Sequence, residues 1–112
     1  MLNPIIWRMK KIIVVLGMHR SGTSAITRGL ELLGADLGSD LMPGVVDDNA
    51  KGFWEDVGIY NINERILSEL GLSWDSLSEM PLDTLRSDRL ELLRRDATEL
   101  LRSRTAGVEI FA

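Results

Sequence analysis

Apolar residues along this chain alternate between one strand-like run and several helix-like stripes. Residues 12–16 read Ile-Ile-Val-Val-Leu without interruption, between Lys11 and Gly17. A continuous, β-branched run of this length predicts a fully buried strand of a parallel sheet. Over residues 24–33 the spacing changes to that of a helix, with Ala25, Ile26, Leu30 and Leu33 as its apolar stripe and Gly34 as its stop. Residues 35–52 hold Gly38, Pro43, Gly44, Asp47, Asp48, Asn49 and Gly52, a texture that predicts loop. Helical spacing resumes after Asp56, the expected cap, with Ile59, Ile62, Ile66 and Leu70 in phase and Gly71 at the end. A second connection covers residues 73–82. A last helix is expected over 87–104, with Leu90, Leu93, Ala97, Leu100 and Leu101 on one face, and residues 108–111 begin another buried strand.

Strand, glycine-containing loop, helix is the opening of a βαβ unit, so the fold class expected is α/β, a parallel sheet with flanking helices. Residues 1–11 read as an amino-terminal extension and strand entry, and 12–112 as part of one domain. Only two strands are evident, whereas three or more are the practical minimum for a stable sheet. The chain is therefore expected to be cut short after the start of a later strand, or to need a partner such as a second copy.

Composition narrows the partners. The net charge is −4, so no polycation is available to neutralise a nucleic-acid backbone, and nucleic acid is not expected as a ligand. Cysteine is absent, which removes disulfides, thiolate metal sites and a cysteine nucleophile together. The longest apolar run, at 12–16, is far shorter than the roughly 20 residues needed to span a bilayer. It also lacks the flanks of a secretory signal, and a cytoplasmic location is expected. Arg86, Arg89, Arg94, Arg95, Arg102 and Arg104 alternate with Asp88, Glu91, Asp96 and Glu99. That mixture reads as a solvated helix face, with Glu91 and Arg95 spaced for an i,i+4 ion pair.

The chemistry is concentrated in Gly17-Met18-His19-Arg20-Ser21-Gly22-Thr23-Ser24. A loop that leaves a parallel strand and opens a helix directs several backbone N–H groups at one point, with the positive end of the helix dipole behind them. A phosphate-type anion suits that geometry. Gly22 lets the backbone approach the anion, Thr23 and Ser24 add hydroxyls, and Arg20 adds a charged, bidentate fork. The Walker A pattern G-x-x-x-x-G-K-[ST] is met at Gly17, Gly22 and Ser24, but Thr23 stands where its lysine belongs. A cation placed earlier in the loop, at Arg20, suits an anion shorter than a triphosphate.

His19-Arg20-Ser21-Gly22-Thr23-Ser24 resembles the sulfotransferase loop usually written P-K-S-G-T-T, which holds the 5′-phosphosulfate of 3′-phosphoadenosine 5′-phosphosulfate. With the strand before it, the stretch is more similar to bacterial members of the sulfotransferase family than to the cytosolic steroid and phenol enzymes. Asn49-Ala50-Lys51-Gly52-Phe53-Trp54-Glu55-Asp56 is similar to a second patch in the bacterial sequences, so the resemblance covers residues 12–74. It implies a P-loop NTPase-like sheet and a sulfuryl transfer from that donor to an acceptor hydroxyl or amine, without a metal. It implies Arg20 near the bridging oxygen and the transferring group, and His19, Ser21, Gly22, Thr23 and Ser24 around the 5′-phosphosulfate. Ala25 departs from the cytosolic enzymes, which commonly carry a tryptophan against the adenine there. The family's 3′-phosphate site has no matching segment.

In-line transfer also needs a base on the acceptor. Glu55 lies where polysaccharide and protein-tyrosine sulfotransferases place a glutamate base, and it is the candidate, against a plain helix-terminal charge beside Asp56. His19, the sole histidine, is a second candidate base, and Lys51 a candidate contact to the leaving anion. Phe53, Trp54 and Trp74 read as packing beneath the loop. Two other readings stay open: a P-loop nucleotide kinase or NTPase, which would need magnesium, and a non-catalytic anion-binding fragment.

Overall fold

The computed structural model describes residues 10–18, 21–45 and 52–112. His19, Arg20, Asp47, Asp48 and Lys51 lie outside the described residues, as do positions 1–9 of the expected extension. The elements run β1 (Lys11–Ile12), α1 (Thr23–Leu32), α2 (Val57–Glu69), α3 (Leu82–Leu85), a single 3-10 turn (Asp88–Leu90), α4 (Glu91–Thr105) and β2 (Ile110–Phe111). This is an α/β arrangement with a parallel sheet. Among the described residues, no helix is long and apolar enough to cross a membrane.

The sheet is assembled around Phe111. β1 and β2 are parallel, with Lys11 opposite Ile110 and Ile12 opposite Phe111. Lys11 N–H donates to the Glu109 carbonyl at 2.9 Å, and Ile13 N–H to the Phe111 carbonyl at 2.8 Å. On the far side of β2, Asp36 pairs with Phe111 in parallel. There Asp36 N–H donates to Ile110 at 2.8 Å, and Ala112 N–H donates back to Asp36 at 3.0 Å. Three parallel rows therefore lie side by side, with β2 in the middle. The sheet has the two strands expected; within the expected loop at 35–52, Asp36 adds a single isolated bridge to Phe111. Its pairing is one residue long, between Gly34 and Gly38, too short to print an alternating pattern, although Ala35 and Leu37 are buried.

The expected buried strand at 12–16 is also corrected. Regular pairing ends after Ile12, and Val14 and Leu16 are 69 % and 85 % exposed. Burial of such a run needs neighbours on both edges and cover on both faces. Among the described residues β1 has β2 on one edge and no strand on the other.

α1 begins and ends close to expectation. Its carboxyl end is closed by Gly34 N–H to the Glu31 carbonyl and Ala35 N–H to Leu30, both 3.0 Å, with Gly34 at φ 102°, a left-handed capping motif that favours glycine. Its expected apolar stripe does not hold. Ala25, Ile26 and Leu33 face solvent, while Thr27 is the buried residue and Leu30 is half-buried.

α2 and α4 supply the better packing. Asp56 caps α2, accepting the Ile59 N–H at 3.0 Å, and Ile59, Ile62, Ile66 and Leu70 are half-buried on the expected face. α2 packs on α4, where Leu90, 1 % exposed, and Leu93 anchor the apolar stripe. The 87–104 helix divides into the 3-10 turn and α4, preceded by α3, which the sequence did not signal. Glu91 and Arg95 form their i,i+4 pair at 2.7 Å. Arg94 and Arg104 leave the solvated face: Arg94 donates to the Leu85 and Ser87 carbonyls at 2.8 and 2.6 Å, and Arg104 turns toward α2. Trp74, expected as packing, is 66 % exposed.

Candidate functional site

The loop after β1 folds back upon Gly17. A Cβ there would come within 2.5 Å of Ser21 Oγ and 2.7 Å of Thr23 Cγ2, so a larger residue would push both side chains out of place. Ser21 N–H donates to the Met18 carbonyl at 3.1 Å, and Gly22 enters α1 at φ 94°. The first N–H groups of α1 have no carbonyl partner within their own helix, and the positive end of its dipole faces the loop. Ser21 and Gly22 are exposed, Thr23 and Ser24 half-buried. These four residues are thus together at one helix terminus.

Ser24 makes a connection that the sequence did not signal. Its hydroxyl donates to the Phe53 carbonyl at 3.0 Å, tying the first turn of α1 to residues 52–56. That segment is held from its other side as well. Phe53 N–H donates to the Met42 carbonyl at 3.5 Å, Met42 N–H to Glu55 at 2.8 Å, and Val57 N–H to Asp40 at 2.8 Å. The two Met42 bonds lie on either side of Trp54. Trp54 has φ 58°, the only described non-glycine residue with positive φ, a region that costs an ordinary side chain about 1–2 kcal/mol. The Arg28 guanidinium lies 4.9 Å from the Trp54 ring centroid, and Arg28 also pairs with Glu31.

Glu55 is exposed and follows this strained residue directly. A cavity of about 680 Å³ opens between the end of β1, α1, residues 53–56 and α2. Gly17, Thr23, Trp54, Glu55 and Asn63 all line it. Gly17 and Thr23 of the glycine loop and the candidate base Glu55, 32 positions after Thr23, therefore share one cavity. A depression along α4 is lined by Glu91, Arg94, Arg95, Thr98, Glu99 and Arg102, residues of α4 alone, and its mixed charges are those of a helix face.

Behind Glu55 the segment is fixed by an ion pair. Asp56 accepts Arg104 Nε–H at 2.6 Å, and Asp40 lies 3.5 Å from the same guanidinium. The hydrogen bond from Asp56 raises the Arg104 pKa above its ordinary value, with burial opposing and the charges of Asp56 and Asp40 assisting. Among the described residues no group of acidic or histidine side chains is arranged to hold a metal ion.

Comparison with protein-family models, with curated proteins and with solved structures gives no match.

Sequence reasoning missed Ser24 as a tie, Arg28 over Trp54, and Arg104 on Asp56. All three depend on contacts between residues 26 or more positions apart, for which periodicity carries no signal. A hint existed only at Gly52, two residues before Trp54.

Proposed function

We propose that this chain carries the phosphosulfate-binding part of a sulfotransferase, on a P-loop-like sheet. The single observation that carries the reading is the shared cavity: Gly17, Thr23 and Glu55 line the same space. The substrate donor is 3′-phosphoadenosine 5′-phosphosulfate, and the acceptor carries a hydroxyl or an amine. The cradle suits the donor's 5′ end, because Gly17 leaves room where a Cβ would collide and the α1 terminus offers N–H groups to an anion.

In this reading His19, Ser21, Gly22, Thr23 and Ser24 bind the 5′-phosphosulfate. Arg20 neutralises charge on the bridging oxygen as the sulfur–oxygen bond to the phosphate breaks. The acceptor oxygen or nitrogen forms the new bond to sulfur, its proton passes to the Glu55 carboxylate, and the electron pair of the broken bond leaves with the bisphosphate.

Binding of the product, 3′-phosphoadenosine 5′-phosphate, tests the reading. Backbone amide shifts on titration are expected to centre on residues 21–24, with calorimetry giving a saturable isotherm. Shifts centred on the arginines of α4 with a silent loop would sink the assignment. Magnesium dependence of binding would favour a nucleoside triphosphate site instead.

A further inference from the structure

We propose that Ser24 is a positioning residue that couples occupancy of the anion loop to the placement of Trp54 and Glu55. The inference rests on the sulfotransferase reading and adds a regulatory step to that same site. A serine hydroxyl has one proton to donate. Here that proton goes to the Phe53 carbonyl at 3.0 Å, whereas the loop resemblance assigns the same hydroxyl to the anion. It cannot serve both acceptors at once, and a charged acceptor outcompetes a neutral carbonyl.

What the hydroxyl releases is a strained segment. Trp54 is kept at φ 58° by the two Met42 bonds on either side, by Ser24 on Phe53, and by Arg28 against its ring. Left-handed backbone at a bulky residue persists only while its surroundings hold it. Withdrawing Ser24 frees the Phe53 carbonyl, the point at which α1 restrains this turn. Trp54 then relaxes toward ordinary backbone, and Glu55, the next residue, shifts against the cavity it lines. Asp56, clamped by Arg104 and capping α2, stays as the fixed end about which the turn moves. Linkage makes the effect reciprocal: whatever stabilises the Phe53 bond weakens anion binding by the same factor.

Fluorescence of Trp54 reads this directly, in protein carrying Trp7→Phe and Trp74→Phe. The probe is inorganic pyrophosphate, which has no base to stack on the indole. A saturable change in Trp54 emission is expected on titration. Ser24→Ala should show a shifted spectrum without ligand and no further change on titration, while calorimetry still detects binding within roughly tenfold of the parent. Ser24→Thr, which keeps the hydroxyl, should restore the response. Pyrophosphate binding with unchanged Trp54 emission, or a response that survives Ser24→Ala, would overturn the coupling and leave the sulfotransferase reading standing. If neither pyrophosphate nor 3′-phosphoadenosine 5′-phosphate binds, both fall. Should Ser24→Ala fail to fold, the parent titration and Ser24→Thr still decide the matter: a silent parent, or a silent threonine variant, refutes it.

Discussion

The Asp56 carboxylate divides its two oxygens between two elements: Oδ2 accepts Arg104 Nε–H from α4 at 2.6 Å, and Oδ1 accepts the Ile59 N–H of α2 at 3.0 Å. One side chain therefore closes a helix and joins it to the next. Asp56 is 8 % exposed, so replacing it leaves a largely buried guanidinium without its main partner and a helix without its cap. Asp56→Ala is expected to lower stability by about 3 kcal/mol, the scale for breaking a buried pair. Urea denaturation measures it, and a loss below about 1 kcal/mol would show that water readily replaces the carboxylate.

The same pair has a defined pH signature on the arginine side. The Arg104 pKa is raised in the folded state, so its contribution is fully present below the ordinary arginine value and is lost only as pH rises through the higher, folded one. The melting difference between the parent and Arg104→Met should therefore stay constant between about pH 6 and about pH 9, well below that range. A difference that shrinks across this window would mean that another titrating group controls the contact.

Two helical glycines should respond in opposite senses. At Gly29 of α1 a Cβ would meet nothing within 4 Å, and Gly29→Ala should stabilise by about 0.5–1 kcal/mol through helix propensity alone. At Gly58 of α2 a Cβ would lie 3.0 Å from an Arg104 nitrogen and 3.1 Å from both Asp56 Oδ1 and Leu100 Cδ1. The ion pair pins two of those neighbours, so Gly58→Ala should destabilise by about 1–3 kcal/mol. Thermal melts of the two variants side by side provide the check.

The position of the helices and their glycine stops was legible because each depends on residues three to five apart, as at Asp56 with Ile59 or Gly71 with Ser68. The loop at residues 21–24 was legible for the same reason. What stayed hidden was decided at a distance. Asp36 joins the sheet through Phe111, and the exposure of Val14 and Leu16 reflects what lies beside β1 rather than their own apolar character. The inward turn of Arg104, one arginine among several, follows from the position of Asp56 and could not be told from its sequence neighbours.

Turnover separates the candidate roles of Arg20 and Glu55. On the proposed sulfotransferase reading, Arg20→Ala should lower turnover on the order of 10²–10³, the scale for removing one transition-state donor, and Arg20→Lys should lower it less. Glu55→Gln keeps the shape but cannot take a proton, and should reduce kcat with donor binding little changed. Intact turnover in Glu55→Gln alongside a dead Arg20→Ala would move the role of base to His19 or another group.

The outer edge of β1 predicts self-association. Ile12 and Val14 are exposed there, and among the described residues no strand pairs with that edge. Open apolar edges template intermolecular pairing, and a lysine on the edge suppresses it. Sedimentation should show concentration-dependent oligomers for the parent and a shift toward monomer for Val14→Lys. A parent that stays monomeric throughout would mean that this edge is protected.

Phe111 sets the order in which the sheet can close. The row it completes joins Ile12 to Asp36, and both wait for a residue 75 or more positions later in the sequence. α2 and α4 pair over a shorter separation and need nothing from the sheet, while β1 has no strand neighbour until the chain reaches Ile110. Such late, long-range closure is slow and exposes apolar edges in the interval. Nascent chains halted between Thr105 and Val108 should therefore contain the helical pair yet lack an ordered loop, a helical hairpin joined to an unpaired strand.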